Sequence, residues 1–233
     1  MASTLPILLV PGLTCTARLY APQIPALWPY GPVTVTDHRR DHEMSAIAAR
    51  ILRDAPPRFA LVGLSMGGYI AFAMLRQAPE RIVKLALLDT QARADTPEQT
   101  AGRETQIAMA QSGRFGEIPD LAIPRYLHPK RQSDERFTGI VRQMIGETGP
   151  EAFVRQMRAI ISRPDSRPLL SSIRCPTMVL VGAEDVSTPV ALNKEIADGI
   201  PGAKLVVVPD CGHLSTLEQP EAVNAALVEW VNT

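Results

Sequence analysis

Nowhere in the 233 residues do apolar side chains run on for the roughly 18 to 20 positions that a helical membrane span needs. The opening MASTLPILLVPG lacks a basic flank, and its apolar stretch stops at Pro11, so it does not read as a secretory signal. An excess of charge is missing too. The 24 Lys and Arg are matched by 24 Asp and Glu, which leaves no electrostatic footprint for a polyanion and argues against nucleic acid as a partner. Cysteine is sparse: Cys15, Cys175 and Cys211 are odd in number and far apart, which suits reduced thiols better than a disulfide framework. The 15 Gly and 21 Pro fall short of a low-complexity share, and 45% hydrophobic against 21% charged residues is ordinary globular usage, so bulk disorder is excluded. The expectation is a soluble, cytoplasmic protein with no membrane partner, of a length that one α/β core can accommodate.

What is present is a rhythm. Short runs rich in Val, Ile and Leu recur at residues 6–10, 33–36, 59–63, 85–89, 177–182 and 204–208. They lack polar alternation, as strands covered on both faces should. Stretches of helical period fall between them at 18–28, 44–54, 66–78, 189–199 and 218–231. Alternation of this kind predicts βαβ units and a parallel sheet with helices on both faces. Between Asp89 and Thr177 the rhythm breaks. Phe137, Ile140, Val141, Met144 and Ile145, then Phe153, Val154, Met157, Ile160 and Ile161, follow the helical period instead. Residues 92–174 are therefore expected to form a helical cap inserted into a core of residues 1–91 and 175–233. It should lie over the carboxyl ends of the strands, where open α/β sheets hold ligands.

The strongest local signal is Gly63-Leu64-Ser65-Met66-Gly67-Gly68, directly after an apolar run and before a helix of small and apolar residues. A strand that turns sharply into a helix lifts the serine hydroxyl above the sheet edge, and the glycines let neighbouring chain approach. Such a serine needs a base. Later strand ends supply an acid in Gly182-Ala-Glu184-Asp185-Val-Ser-Thr and a histidine in Asp210-Cys211-Gly212-His213. Ser65 as nucleophile, His213 as base and Asp185 as orienting acid would converge at one edge of a parallel sheet. Glu184 beside Asp185, and Asp89 at a strand end nearer the serine, are rival acids. His38, His42 and His128 lie outside the expected order. An oxyanion would be held by the amides of Met66, at the start of its helix, and Leu13, in the Pro11-Gly12-Leu13-Thr14 turn. Cys15 close by is expected to pack as a small apolar side chain. Residues 37–42 carry metal-capable side chains without a metal-site spacing, so neither metal nor cofactor is expected. Arg125, His128, Lys130 and Arg131 could meet a substrate carboxylate but read more simply as a solvated basic loop.

The PGLT, GLSMGG, GAEDVSTP and CGHLSTLEQP segments together resemble the α/β-hydrolase superfamily over essentially the whole chain, and most of all its small bacterial esterases, enol-lactonases and carbon–carbon bond hydrolases. The resemblance implies an α/β-hydrolase fold with a wholly or mostly parallel sheet of about six strands, the usual first hairpin missing. It also implies a serine hydrolase that cleaves a small-molecule ester or lactone through an acyl-enzyme. The alternatives are an enol-lactonase or carbon–carbon hydrolase with the same triad, or a non-catalytic receptor on that fold. Relatives often carry His-Gly before the oxyanion residue, where this chain has Pro11-Gly12, and Arg-Gly-His-Gly where it has Asp37-His38-Arg39-Arg40. Serine at the elbow disfavours dehalogenase and epoxide hydrolase activity, which use aspartate there. The only tryptophans are Trp28 and Trp230, so no tryptophan follows the acid strand as an aromatic does in some carbon–carbon hydrolases.

Overall fold

A computed structural model describes residues 5–233. Its six strands are β1 (Ile7–Val10), β2 (Val33–Val35), β3 (Phe59–Leu64), β4 (Ile82–Leu88), β5 (Thr177–Gly182) and β6 (Lys204–Val208). They pair in parallel in the order β2-β1-β3-β4-β5-β6. The helices are α1 (Gln23–Leu27), α2 (Met44–Asp54), α3 (Met66–Gln77), α4 (Pro97–Met109), α5 (Ile118–Tyr126), α6 (Glu135–Ile161), α7 (Arg167–Leu170), α8 (Val190–Gly199), α9 (Ser215–Glu218) and α10 (Pro220–Asn232). None of these helices is long and apolar enough to cross a membrane.

Alternate residues of each central strand feed opposite cores, which is the period-two rule of a strand. Ile7, Leu9, Ala60, Val62, Ala86 and Leu88 face a cluster with Leu27, Val223, Leu227 and Trp230. Leu8, Val10, Leu61, Leu85 and Leu87 face Ile47, Ala48, Ile51, Ile70 and Ile196 on the other side. In α2 the buried Met44, Ile47, Ala48, Ile51 and Leu52 make one stripe, whereas α3 is buried from Met66 through Leu75. That difference places α3 in the middle of the molecule, directly behind β3.

Two expected helices are shorter than their periodicity suggested. The stretch 18–28 divides into a 3-10 turn at Ala17–Tyr20, the five-residue α1, and a second 3-10 turn at Trp28–Tyr30. Pro22, Pro25 and Pro29 each lack an amide donor, so no long ladder can form there. The stretch 218–231 begins earlier, as α9, and restarts at Pro220, because a residue before proline is pushed out of helical geometry. The region between β4 and β5 is helical, as the pattern predicted, with α6 broken at Gly149 (φ 74°, ψ 163°) just before Pro150. Its inner residues do not all lie on the upper face: Ala159, Ile160, Leu170 and Ile173 pack into the same cluster as β3, α2 and α3.

The glycines divide by what surrounds them. A Cβ on Gly67 would fall onto the carbonyl of Val10, whereas one on Gly139, in exposed helix, would meet nothing within 4 Å. Gly67→Ala is expected to cost more than about 3 kcal/mol or to prevent folding. Gly139→Ala should stabilise by about 0.5–1 kcal/mol, raising Tm by roughly 1–4 °C. Thermal melts of the two variants check the opposite signs.

Candidate active site

The carboxyl edge of the sheet concentrates backbone strain. The four non-glycine residues with positive φ among those described are Thr14 (57°), Ser65 (56°), Asp89 (45°) and Asp210 (52°), and they follow β1, β3, β4 and β6. Each such conformation costs on the order of 1–3 kcal/mol and persists only where its surroundings enforce it. For Ser65 the enforcement is visible. Its amide donates to the Leu88 carbonyl at 2.9 Å, and its own carbonyl accepts from the Gly68 amide at 2.9 Å and the Thr90 hydroxyl at 2.8 Å. Gly63 and Gly68 have no room for a side chain, since a Cβ on the first would strike Gly67 and on the second Thr90.

From this turn the Ser65 Oγ lies 2.9 Å from His213 Nε2, and His213 Nδ1 lies 2.8 Å from Asp185 Oδ2. The three residues named from the sequence thus form one line, with His213 and Asp185 buried at 3% and 4% exposure. Asp185 is fixed in turn. Its Oδ1 accepts from the amides of Ser187 (2.7 Å) and Thr188 (2.9 Å), and its Oδ2 accepts from the Thr188 hydroxyl (2.7 Å). Burial alone would push the Asp185 carboxyl up, but the charge and hydrogen bond of His213 and the Thr188 donors hold it below the ordinary value. Burial alone would likewise press His213 down, and the Asp185 carboxylate beside it outweighs this and raises it.

The rival acids serve elsewhere. Glu184 accepts from the Cys211 amide at 2.9 Å, half-exposed. Asp89 is fully buried, accepts from the Gly182 amide at 2.9 Å and takes the Ser215 hydroxyl on its other oxygen. Burial, then the nearby Asp185 charge, pushes Asp89 well above the usual carboxylate range. Cys15 is buried, and desolvation pushes its thiol up to about 12, which suits packing rather than nucleophilic attack.

Leu13 and Ser65 line one cavity, and neither the Leu13 nor the Met66 amide donates to another protein group among the described residues. The turn that carries Leu13 is held by residues the sequence reading did not name. Tyr126 Oη donates to the Leu13 carbonyl at 3.1 Å, the Thr14 amide donates to Gln156 Oε1 at 3.1 Å, and the Thr148 hydroxyl donates to the Thr14 carbonyl at 3.1 Å. Tyr126 also accepts, at its carbonyl, from the amides of His213 (3.0 Å) and Leu214 (3.1 Å). One residue of α5 therefore touches both the Leu13 turn and the histidine loop. Glu218 adds a clamp, accepting from the amides of His128 (2.8 Å) and Gly212 (3.1 Å), and burial pushes its carboxyl up to about 7. His38 is buried with Nε2 2.9 Å from the Gly12 carbonyl, and burial pushes it down to about 4.

Above these groups is a cavity of about 340 Å³, at the small end for ligand sites. Ser65, His213, Leu13 and Thr14 meet Ile118, Leu121, Ala122, Phe153 and Ile160 of the helical region there, with Arg103 and Arg125. Of the apolar side chains singled out by period, only Phe153 and Ile160 reach the cavity; Val141, Met144, Ile145 and Met157 are core. The basic cluster divides as well. Lys130 and Arg131 pair with Asp210 at 2.8 and 3.0 Å, His128 is buried, and only Arg125 opens onto the cavity.

A serine on a strand-to-helix turn of a parallel sheet, in line with a buried histidine and aspartate, marks a hydrolase site of the α/β class. The chain belongs to the alpha/beta hydrolase family, whose model matches residues 6–226. Among solved structures it is similar to a thermophilic esterase from Thermogutta terrifontis, at 33% identity and a TM-score of 0.89 over 98% of this chain and 89% of that one. It is also similar to the enol-lactonase from Burkholderia xenovorans LB400, at 25% identity and a TM-score of 0.90 over 100% and 93%. A pimeloyl-[acyl-carrier protein] methyl ester esterase from Aromatoleum aromaticum is 26% identical over 96% of this chain and 90% of its own length.

If His213 takes the Ser65 proton, only the neutral imidazole reacts, so rate must fall as pH drops through the raised His213 value, above its ordinary 6.5. Asp185→Asn removes the charge that raises it. The acid limb should then move to lower pH, and the plateau should fall on the order of 10³–10⁴-fold. Ser65 labelling by an activated phosphonate, followed against pH, reads both effects without a substrate.

Proposed function

We propose that this α/β hydrolase cleaves carboxylic esters of small molecules through an acyl-enzyme. The observation that carries the reading is the Ser65–His213–Asp185 line, at 2.9 and 2.8 Å, opening into a cavity beside two unpartnered amides. His213 takes the Ser65 proton as Oγ attacks the ester carbonyl. The amides of Leu13 and Met66, the latter at the positive end of α3, hold the developing oxyanion. Asp185 fixes the imidazole tautomer and stabilises the imidazolium. His213 then protonates the leaving alcohol, water enters, and the same histidine activates it to release the acid. Residues 92–174 act as the cap that shapes the substrate space over a core of residues 1–91 and 175–233. The likeness to an enol-lactonase over the whole chain supports cyclic esters within the same substrate class. Carbon–carbon bond hydrolysis with the same triad is the alternative reading.

Ser65→Ala should lower turnover of p-nitrophenyl esters by several orders of magnitude with an unchanged melting temperature, and intact mass should show one phosphonate adduct on wild type and none on the variant. Labelling without turnover of any ester would point to a receptor. Absence of both would remove the proposed mechanism. Tyr126→Phe deletes one of the two hydroxyl donors to the Leu13 carbonyl, leaving the Thr14 hydroxyl at 2.6 Å, while keeping the backbone carbonyl that holds His213. It should lower kcat about tenfold, less than the 10²–10³ of losing an oxyanion donor outright, and leave KM nearly unchanged. A change confined to KM would separate Tyr126 from the oxyanion turn.

A further inference from the structure

The helical side of the cavity above Ser65 carries more positive charge than the acids of that region neutralise. Arg125 is exposed at the end of α5 and has no carboxylate within ion-pair distance among the described residues. Arg103, on α4, bonds Asp95 at 2.6 Å, yet the same carboxylate also takes Arg163 at 2.8 Å. One acid thus serves two guanidiniums and leaves one charge over. The single carboxylate on the cavity wall, Glu98, lies in the first turn of α4, where its own amide and the Thr96 hydroxyl hold it ionised. With Glu98 counted, the helical side of the cavity has a surplus of one positive charge; Asp185, on the sheet side, is taken up by His213, Ser187 and Thr188. Arg114, Arg142 and Arg93 have acids of their own, Glu117 at 2.7 Å, Asp120 at 2.7 Å and Glu195 at 2.9 Å, whereas the exposed Arg158 and Arg174 pair with no carboxylate among the described residues but do not line the cavity.

Position favours recognition of a substrate group. Arg125 directly precedes Tyr126, whose ring lies 5.7 Å from the His213 ring, and its backbone carbonyl accepts from the Ser187 hydroxyl at 2.9 Å, next to the acid loop. The charge of Arg125 is felt at His213, and those of Arg103 and Arg125 at Tyr126. A guanidinium is a planar fork of donors that matches a carboxylate in bidentate fashion. A surplus of one charge suits one carboxylate better than a doubly charged phosphate.

We propose that Arg125, backed by Arg103, forms an anion subsite in the Ser65 cavity, and that the preferred substrate is a small ester or lactone bearing a second carboxylate. This rests on the ester-hydrolase reading above.

The test pairs anionic and neutral esters of similar size: monomethyl glutarate against methyl hexanoate for an acid on the acyl side, and 4-carboxyphenyl acetate against phenyl acetate for one on the alcohol side. In at least one pair kcat/KM should favour the anionic ester tenfold or more in low salt, with the preference shrinking in 1 M salt. Arg125→Gln should lower that ratio at least tenfold, and Arg125→Lys should retain part of it. Calorimetry on Ser65→Ala gives a readout without turnover: glutarate should bind more tightly than inorganic phosphate and weaken at least tenfold when Arg125→Gln is added. Equal rates within both pairs, a ratio untouched by Arg125→Gln, or phosphate binding more tightly than glutarate would overturn the proposal. Turnover and Ser65 labelling with no anionic preference remove only the subsite. Glutarate binding lost in Arg125→Gln, with no turnover or labelling, removes the ester-hydrolase reading and leaves the subsite.

Discussion

The backbone of Ser65, held at φ 56° and ψ −114°, is the constraint around which the rest of the molecule is arranged. An L-residue adopts that conformation only when its neighbours leave no better one. Here Ser65 alone separates the end of β3 from the start of α3, and Gly67 lies against the carbonyl of Val10 in the adjacent strand. The helix can come so close to the sheet because Gly63, Gly67 and Gly68 carry no side chains where β3, β1 and the residues after β4 converge. Burying α3 from Met66 through Leu75 supplies the hydrophobic free energy, about 1.5–3 kcal/mol for each large side chain, that offsets the strain of the turn.

The second feature of the site is that the sheet does not complete it alone. Thr14, itself in the left-handed region, has its amide, carbonyl and neighbouring carbonyl held by Gln156, Thr148 and Tyr126, all from the helical region between β4 and β5. The histidine loop leans on the same region, through the Tyr126 carbonyl and through Glu218 beneath the amides of His128 and Gly212. Because Ala159, Ile160, Leu170 and Ile173 are also part of the main core, this region is anchored below as well as across the top. A shift of α5 or α6 would therefore alter the Leu13 turn and the histidine loop together, so the same residues that wall the cavity set the geometry beneath it.

Local chemistry explains how much of this was legible in the sequence. The sheet, the elbow and the order of serine, acid and histidine could be read because each rests on a short stretch with its own pattern: buried apolar runs, glycines flanking a serine, an acid or histidine just past a strand. The Asp185 cradle also had a signal, since Asp-x-Ser-Thr is the spacing at which a carboxylate bonds amides two and three residues on. Tyr126 and Gln156 had none, because their partners lie 113 and 142 residues away and no periodicity reports which polar side chain a fold will bring to a distant turn. In the stretch 18–28 the apolar spacing suggests one helix, but Pro22 and Pro25 inside it and Pro29 just after it break the ladder. The basic cluster could not be divided without knowing that Asp210 stands beside Lys130 and Arg131 and away from Arg125.

That division bears on how a cation and the proposed catalytic base can share one small cavity. A guanidinium near an imidazole lowers its basicity, and Arg125 acts on His213 in that direction. Yet His213 is net raised, because the opposing carboxylate is 2.8 Å away and buried, whereas Arg125 is exposed and its field is screened by water. Coulomb energy depends on separation and on the local dielectric, and both favour Asp185. The sheet edge can therefore keep a basic histidine while the helical region presents positive charge to the cavity, and in the proposed mechanism that charge opposes none of the negative charge developing on the oxyanion. On the proposed reading, chemistry at the strand ends and selection in the helices can each change without the other, provided that Tyr126 and Gln156 keep the two in register.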